Sequence, residues 1–190
     1  MKTILCFTPG NHADFEAVLA LHLLNDKEGR QIKTVGYSHE PAIGMSGLTY
    51  TPDFTLEEAA QLKDVEAFIM PGGPLCEPNE RLISFIRALH KRGALLAAIC
   101  YAPQYLAHAG LLNTHRYTTS CTPEDIKEQG VADPFPRVKY VNERVAVDGN
   151  IITAQGDAFV DFAFAIAKYL GDYAGQEDDF DEFYRQIMDK

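Results

Sequence analysis

The sequence predicts a doubly wound α/β protein, in which helices cover both faces of a mainly parallel sheet. Short apolar runs typical of buried strands alternate with longer stretches whose apolar residues recur at helical spacing. Glycine or proline closes several of the apolar runs, as at Pro9-Gly10 and Pro71-Gly72. In such sheets ligands bind beside the carboxyl ends of the strands, so we expect the functional residues there.

The chain opens with a β-α-β unit. Residues 2–8 form a short apolar strand, residues 14–27 carry apolar side chains at helical spacing, and residues 31–36 predict a second strand. The crossover in such a unit is almost always right-handed, so the two strands should be parallel. Residues 38–52 are rich in glycine, serine and proline, and they predict an irregular excursion with a small hairpin.

Strands and helices continue to alternate through the middle of the chain. Predicted strands cover residues 67–70 and 95–99, and predicted helices cover residues 55–62, 80–92 and 103–112. Thr55 and Glu58 have the spacing of a capping box, and Asn79 is a good cap for the second of these helices. Gly110 should end the third.

The last third predicts four short strands and three helices. The strands cover residues 116–119, 138–141, 145–147 and 151–153, and the helices cover residues 122–129, 157–170 and 180–188. Asp148-Gly149 is a typical hairpin turn, so the last two strands could form an antiparallel edge.

We divide the chain into a domain over residues 1–171 and an acidic helical extension over residues 172–190. From Asp172 onward seven acidic residues stand against Arg185 and Lys190, a balance of −5 within the net charge of −10. Phe180, Phe183 and other apolar residues share one face of the last predicted helix. We expect this face to pack on the domain or on a dimer partner, because an exposed apolar face favours aggregation.

Composition excludes several classes of partner. A net charge of −10 argues against nucleic acid and anionic membranes, which need clustered lysine and arginine. No apolar run is long enough to span a membrane or to form a signal-peptide core, so we expect a cytoplasmic protein. The four cysteines lack the spacing of a disulfide framework or a zinc site, and we expect neither metal nor cofactor.

Cys100 lies in the turn between a predicted strand and a predicted helix, and this turn is the strongest functional signal in the sequence. Small residues crowd this turn, and a strand that breaks directly into a helix forces a tight backbone that exposes one side chain. A helix N-terminus would also lower the pKa of the thiol from its free value of about 8.5. A reactive cysteine is one interpretation, and a buried core cysteine is the other.

Two other loops should reach the same edge of the sheet. One follows the first strand and bears His12 and Glu16, and the other contains Gly72-Gly73. Adjacent glycines let backbone amides approach a substrate oxygen, and the amide of Tyr101 would complete an oxyanion hole. An ordinary turn is the alternative explanation for the two glycines.

The segments IMPGGP and AAICYAPQYLAHAGLL closely resemble motifs of the DJ-1/PfpI superfamily, which is class I glutamine amidotransferase-like. GNHADFEAV and VAVDGNIITAQG extend the resemblance over most of residues 1–170. The resemblance implies a flavodoxin-like three-layer sandwich, commonly a homodimer. It also implies that Cys100 is the reactive thiol, that a protonated Glu16 is hydrogen-bonded to it, and that the amides of Gly73 and Tyr101 are oxyanion donors.

The chain departs from the superfamily pattern at the positions that carry the base. DJ-1-like members have a histidine where this chain has Ser120, and PfpI-like members have one directly after the cysteine, where this chain has Tyr101. The His-x-Glu motif of glutamine amidotransferases is absent from ITAQGDAF. Peptidase and glutaminase activities are therefore disfavoured.

Other residues could replace the missing base. Glu16 itself, His12 and, more weakly, His39 are candidates, although we favour a solvent-exposed loop residue as the interpretation of His12. We place His12, Gly72 and Ser120 in the pocket. Cys76 and Cys121 could approach Cys100 as resolving thiols, but two unpaired small residues are the simpler interpretation.

These observations predict a cysteine-dependent enzyme that acts on a small carbonyl or amide-like substrate, in a hydrolase, amidase or glyoxalase-like reaction. Two alternatives remain open. One is a redox or stress sensor in which Cys100 is oxidised without turnover, and the other is a non-catalytic binding protein. The predicted partners are a small-molecule substrate and a second copy of the chain.

Overall fold

The computed structural model describes residues 1–25, 29–77 and 79–188, so the predicted end of the first helix at residue 27 lies outside the described residues. The strands are β1 (Lys2–Phe7), β2 (Arg30–Gly36), β3 (Ala42–Ile43), β4 (Thr49–Tyr50), β5 (Phe54–Thr55), β6 (Val65–Met70), β7 (Leu95–Ile99), β8 (Val145–Asp148) and β9 (Ile151–Ala154). The helices are α1 (Phe15–Asn25), α2 (Leu56–Ala60), α3 (Glu80–Lys91), α4 (Pro103–His108), α5 (Pro123–Gln129), α6 (Phe159–Tyr169) and α7 (Glu177–Met188).

Seven of these strands form the central sheet, in the order β5-β2-β1-β6-β7-β9-β8. Neighbouring strands are parallel except at the edge, where β8 pairs antiparallel with β9. Side chains alternate between the two faces, so Leu5 and Phe7 join one buried cluster while Ile4 and Cys6 join the other. The predicted mainly parallel sheet between two helical layers, with an antiparallel edge, is confirmed.

Local sequence signals account for several element boundaries. The Thr55 hydroxyl accepts a hydrogen bond from the Glu58 amide and the Glu58 carboxylate accepts one from the Thr55 amide, so the predicted capping box is present. The side chain of Asn79 accepts from the Leu82 amide and starts α3. The predicted hairpin in residues 38–52 is the antiparallel pair β3-β4.

Two predicted strands and two helix boundaries were wrong, one of them the start of α7, which lies at Glu177 instead of residue 180. Residues 116–119 contribute only an isolated bridge between Tyr117 and Tyr140, and residues 137–139 form a 3-10 turn where residues 138–141 were expected to be extended. Side chains take hydrogen bonds that a neighbouring strand would otherwise provide, since the Thr118 amide donates to Thr153 Oγ1. The helix after Cys100 ends at His108, four residues earlier than predicted, and a 3-10 turn follows Gly110.

The acidic extension packs on α6. Phe180 is buried, and its ring stacks on those of Phe164 and Tyr173, with centroids 4.5 Å and 3.9 Å apart. The hydroxyl of Tyr184 donates to Asp161 at 2.6 Å. Where the extension leaves α6, the buried carboxylate of Asp172 forms an ion pair with the guanidinium of Arg30.

We expect a chain cut after residue 171 to lose about 3 kcal/mol or more of unfolding free energy. Burial of one large aromatic side chain contributes about 1.5–3 kcal/mol, and removing Asp172 leaves the buried charge of Arg30 with one partner fewer. Urea unfolding measures the loss. In the full chain, Phe180→Ala should reproduce much of it, whereas Ile187→Ala, at a side chain that is 37% exposed, should not. An unchanged midpoint and an unchanged oligomeric mass in the shortened chain would contradict this role.

Candidate active site

Cys100 occupies a strained turn between β7 and α4. Its φ is +63°, and among the described residues Asn11 (φ 48) is the other non-glycine residue in the left-handed region. Such a backbone costs of order 1–3 kcal/mol and persists only where its surroundings hold it. Here the Cys100 amide donates to the Ala154 carbonyl at 2.9 Å, and the Cys100 carbonyl accepts from the Ser120 amide at 3.1 Å. The elbow expected from the sequence is therefore present.

Glu16 lies in the first turn of α1 and faces the same thiol. Its side chain is buried, with 2% of the residue exposed, and it is hydrogen-bonded to Cys100. Its Oε2 also accepts a hydrogen bond of 2.7 Å from the amide of Gly72. The carboxyl end of β6, the start of α1 and the Cys100 turn thus bring three of the expected residues together.

Two glycines make this pairing sterically possible. A Cβ on Gly72 would lie 2.7 Å from both the Cys100 Cβ and Glu16 Oε2, closer than real Cβ atoms approach. A Cβ on Gly156 would lie 3.0 Å from both Cys100 Sγ and Glu16 Oε1. The sequence analysis gave no role to Gly156. A glycine two residues after β9, the strand that pairs with β7, could have indicated that this position lies close to Cys100.

Burial raises the pKa of the Glu16 carboxyl, and hydrogen bonds from the Gly72 amide and from Cys100 partly oppose this. A buried carboxyl prefers the neutral form because the charged form loses its hydration. The direction of the shift agrees with the expected protonated Glu16.

The pKa of the Cys100 thiol is raised to about 12, chiefly by burial and then by the charge and hydrogen bond of Glu16. Hydrogen bonds from the Tyr101 amide and the Ser120 hydroxyl act in the opposite direction. The Tyr101 amide, in the turn that leads into α4, acts in the expected lowering direction, but burial outweighs it. The thiolate must be stabilised by its neighbours, and protonation of Glu16 would remove the contribution of its negative charge.

The two backbone amides that are expected to act as oxyanion donors differ in their hydrogen-bond partners. The Tyr101 amide is hydrogen-bonded to the Cys100 sulfur. The Gly73 amide donates to no group in the described part of the chain, and a Cβ on Gly73 would lie 3.1 Å from the Asn11 carbonyl oxygen. An oxyanion role for the Gly73 amide stays a prediction.

The structure places His12 in the interior instead of on the surface, so the favoured exposed-loop interpretation was wrong. The residue is 1% exposed, its ring lies 5.1 Å from the ring of Tyr50, and its Nδ1 has no hydrogen-bond partner among the described residues. Burial lowers the pKa of this imidazole, while Asp14 opposes that effect. The His12 backbone borders Gly73, but its ring packs toward the β3-β4 hairpin. His39 is engaged elsewhere, with Nε2 2.9 Å from Glu58.

Ser120 lies beside Cys100 on the segment that follows residue 119. Its hydroxyl oxygen accepts a hydrogen bond of 2.7 Å from the Gly156 amide, and the hydroxyl is also hydrogen-bonded to Cys100. The residue is half-buried, as are Cys100 and Tyr101. Ser120 and Gly72 therefore both contact the Cys100–Glu16 pair, whereas the ring of His12 packs on Tyr50.

Comparison with known proteins bears on what this arrangement is. The family model described as the DJ-1/PfpI family matches residues 2–169. The chain belongs to the DJ-1/PfpI family. Its flavodoxin-like fold and its family membership, both expected from the motifs, are thereby confirmed.

Three proteins of the DJ-1/PfpI type are distant in sequence but similar over most of their length. Deglycase TK1284 from Thermococcus kodakarensis is 26% identical over 165 residues, which cover 84% of this chain and 93% of that protein. Uncharacterized protease YdeA from Bacillus subtilis is 27% identical over 174 residues, which cover 90% of this chain and 84% of that protein. The crystal structure of a thiJ/pfpI family protein from Bacillus anthracis superposes with a TM-score of 0.83 at 26% identity, covering 97% of this chain and 90% of that one.

The other thiols of this DJ-1/PfpI protein have separate environments. All four cysteines are free; Cys6 and Cys121 are buried and Cys76 is exposed. Cys76 Sγ lies 3.9 Å from the Tyr105 hydroxyl, and Cys121 Sγ lies 4.0 Å from the Thr122 carbonyl. A resolving role for either thiol stays a prediction.

The described residues form neither a metal-binding group nor a membrane-spanning helix. Within residues 1–25, 29–77 and 79–188, no group of three or more histidine, cysteine, aspartate or glutamate side chains is placed to hold a metal ion. Over the same ranges, no helix has both the length and the apolar character needed to cross a membrane.

Proposed function

We propose that this protein is a cysteine-dependent enzyme in which Cys100 attacks a small carbonyl compound, with an amide-like bond as the other substrate class. The observation that carries this proposal is the strained Cys100 turn, with Glu16 buried against the thiol. Relatives named deglycases, such as the Thermococcus kodakarensis protein, support chemistry at a carbonyl group.

The proposed step is an addition. The Cys100 sulfur forms a bond to the carbonyl carbon, and the carbonyl π electrons move to the oxygen, which then carries negative charge. The Gly73 amide stabilises this charge because preorganised donors act strongly in a site that excludes water. The Cys100–Glu16 pair shares one proton, which Glu16 carries while the thiolate attacks and keeps until breakdown of the adduct frees the thiolate again.

An aldehyde or ketone suits this site better than a peptide. Addition to a carbonyl needs no leaving group, whereas cleavage of an amide requires a proton for the departing amine. The residue after the nucleophile is Tyr101, and Ser120 cannot give or take a proton at neutral pH as an imidazole can. A peptidase role, which the name of the Bacillus subtilis relative suggests, is therefore disfavoured.

Limiting iodoacetamide at neutral pH, followed by peptide mapping, tests whether Cys100 is the nucleophile. We expect Cys100 to be labelled first when Glu16 is protonated, because the Tyr101 amide and the Ser120 hydroxyl then stabilise its thiolate without an opposing charge, whereas the buried Cys6 and Cys121 are shielded. The control is Cys76→Ser, which should leave Cys100 labelling unchanged. Preferential labelling of any other cysteine would overturn the assignment.

Turnover separates the enzyme from its alternatives. Conversion of a small aldehyde such as methylglyoxal in large excess over protein would support catalysis. Stoichiometric oxidation of Cys100 by peroxide without turnover would favour a redox sensor, since a thiol surrounded by hydrogen-bond donors can also hold its oxidised forms. An unreactive Cys100 would favour a binding protein.

We propose a homodimer as the working assembly. Exposed apolar side chains on α1 and the β3-β4 hairpin form one region beside the active-site edge: Phe15, Val18, Ile43, Met45 and Leu48, each more than half exposed. A second copy would bury this region, and removing exposed apolar side chains from water favours association. A monomeric mass by light scattering would contradict the assembly.

A further inference from the structure

We propose that Ser120 is a catalytic residue that donates its hydroxyl hydrogen to the Cys100 thiolate, and that the Gly156 amide orients this hydroxyl. The inference rests on the proposed function, in which Cys100 is the nucleophile. It gives a role to the residue that stands where DJ-1-like members carry a histidine.

Backbone contacts hold Ser120 next to the sulfur. Its amide donates to the Cys100 carbonyl at 3.1 Å, which ties the residue to the strained turn. The preceding Thr119 hydroxyl donates to the same carbonyl at 2.6 Å. Two hydrogen bonds therefore fix the 119–120 backbone against Cys100, and the Ser120 side chain has little freedom to leave the thiol.

The Gly156 amide determines which way the hydroxyl hydrogen points. A serine hydroxyl has one hydrogen to donate and two lone pairs to accept with. The Gly156 amide donates to Ser120 Oγ at 2.7 Å and occupies one lone pair, so the hydrogen is available for Cys100 Sγ. A Cβ on Gly156 would lie 3.0 Å from that sulfur, so only a glycine fits beside the thiol at this position.

The hydrogen bond from the Gly156 amide affects how well the Ser120 hydroxyl donates to the sulfur. An oxygen that accepts a hydrogen bond becomes a better donor, so the Gly156 amide strengthens the bond from Ser120 to the sulfur. The hydroxyl remains neutral throughout the physiological pH range and gives up no proton. Ser120 therefore stabilises the attacking thiolate at every pH, but it cannot replace a histidine as the base that removes a proton from an adduct.

The test is the pH dependence of Cys100 alkylation by iodoacetamide in a Cys76→Ser background, which needs no substrate. We expect Ser120→Ala to shift the midpoint of the rate profile upward by about one pH unit, which lowers the rate near neutral pH about tenfold. Ser120→Thr keeps a hydroxyl and should restore most of the rate. The matched control is Thr119→Val, which removes a hydroxyl bonded to the Cys100 carbonyl instead of the sulfur. The Ser120 amide still donates to that carbonyl in this variant, so the midpoint should stay in place.

The outcomes are distinguishable. A Ser120→Ala protein with lower thermal stability but an unmoved midpoint would show a structural role only and would overturn the inference. An equal shift in Thr119→Val would overturn it as well, because loss of either hydroxyl would then act through the backbone. A wild-type Cys100 that does not react with iodoacetamide at any pH would overturn the proposed function itself.

Discussion

Ser120→Ala should slow Cys100 alkylation, but Ser120→His should raise methylglyoxal turnover by about 10²- to 10⁴-fold, the usual contribution of a well-placed general base. The reason is the difference between the two side chains at neutral pH. Imidazole can take a proton from an adduct and return it, and a serine hydroxyl cannot. Wild-type turnover should be slower than that of a histidine-bearing relative by the same factor. Steady-state rates of lactate formation from methylglyoxal measure both.

Position 120 can accept the larger side chain because it is half-buried at the open edge of the sheet. The substitution also removes the acceptor of the Gly156 amide, unless an imidazole nitrogen takes that hydrogen bond. The gain in turnover should therefore come with a higher midpoint for Cys100 alkylation. A change in turnover without a change in that midpoint would mean that Ser120→His and Ser120→Ala act at different steps, the first on the adduct and the second on the thiolate.

His12→Ala is the control for a base supplied from elsewhere. The ring of His12 packs on Tyr50 and is 1% exposed, so we expect lower stability and unchanged turnover. A strong loss of turnover would instead make His12 the base. If the wild type is already fast and His12→Ala leaves it fast, catalysis needs no imidazole at either position, and the explanation given for Ser120 is wrong.

The fold was predictable because its elements are coded locally. Strands in the middle of the sheet, such as β6 and β7, are short apolar runs, and caps such as Thr55 and Asn79 mark where helices begin. The predictions failed where backbone groups find side-chain partners that are distant in sequence. Residues 116–119 are the example, since the Arg116 amide donates to Asp148 and the Thr118 amide to Thr153. No periodicity in the sequence reports such pairs.

The candidate site was predictable to the same degree and for the same reason. Turns directly after strands placed Cys100, Glu16 and the Gly72-Gly73 pair at one edge, and the structure brings them together. The burial of His12 depends on a hairpin that folds back over it, and the pKa of the thiol depends on how deeply it is buried. Both are consequences of tertiary packing. The motif alone therefore did not predict that His12 is buried, and the helix dipole alone did not predict that the pKa of the thiol is raised.

Glu16→Leu should slow Cys100 alkylation at neutral pH by about 10- to 100-fold, whereas Glu16→Gln should leave it nearly unchanged. A protonated Glu16 donates to the thiolate, and a hydrogen bond to a charged group contributes about 1.5–3 kcal/mol, or about one to two pK units. Loss of the donor raises the thiol pKa, and less thiolate is then present at any pH below it. Glutamine keeps a donor for the sulfur and an acceptor for the Gly72 amide.

The opposite charge state of Glu16 gives the opposite sign. If the wild-type carboxyl is ionised, its charge raises the thiol pKa, as one of the effects that act on Cys100. Both Glu16→Gln and Glu16→Leu would then remove that charge, lower the thiol pKa and speed alkylation below the wild-type midpoint. Thiolate absorbance, titrated in the Cys76→Ser background up to the highest pH at which the protein stays folded, distinguishes the two cases. Because burial raises the pKa of Glu16, we expect the protonated carboxyl and therefore a raised midpoint in the leucine variant alone.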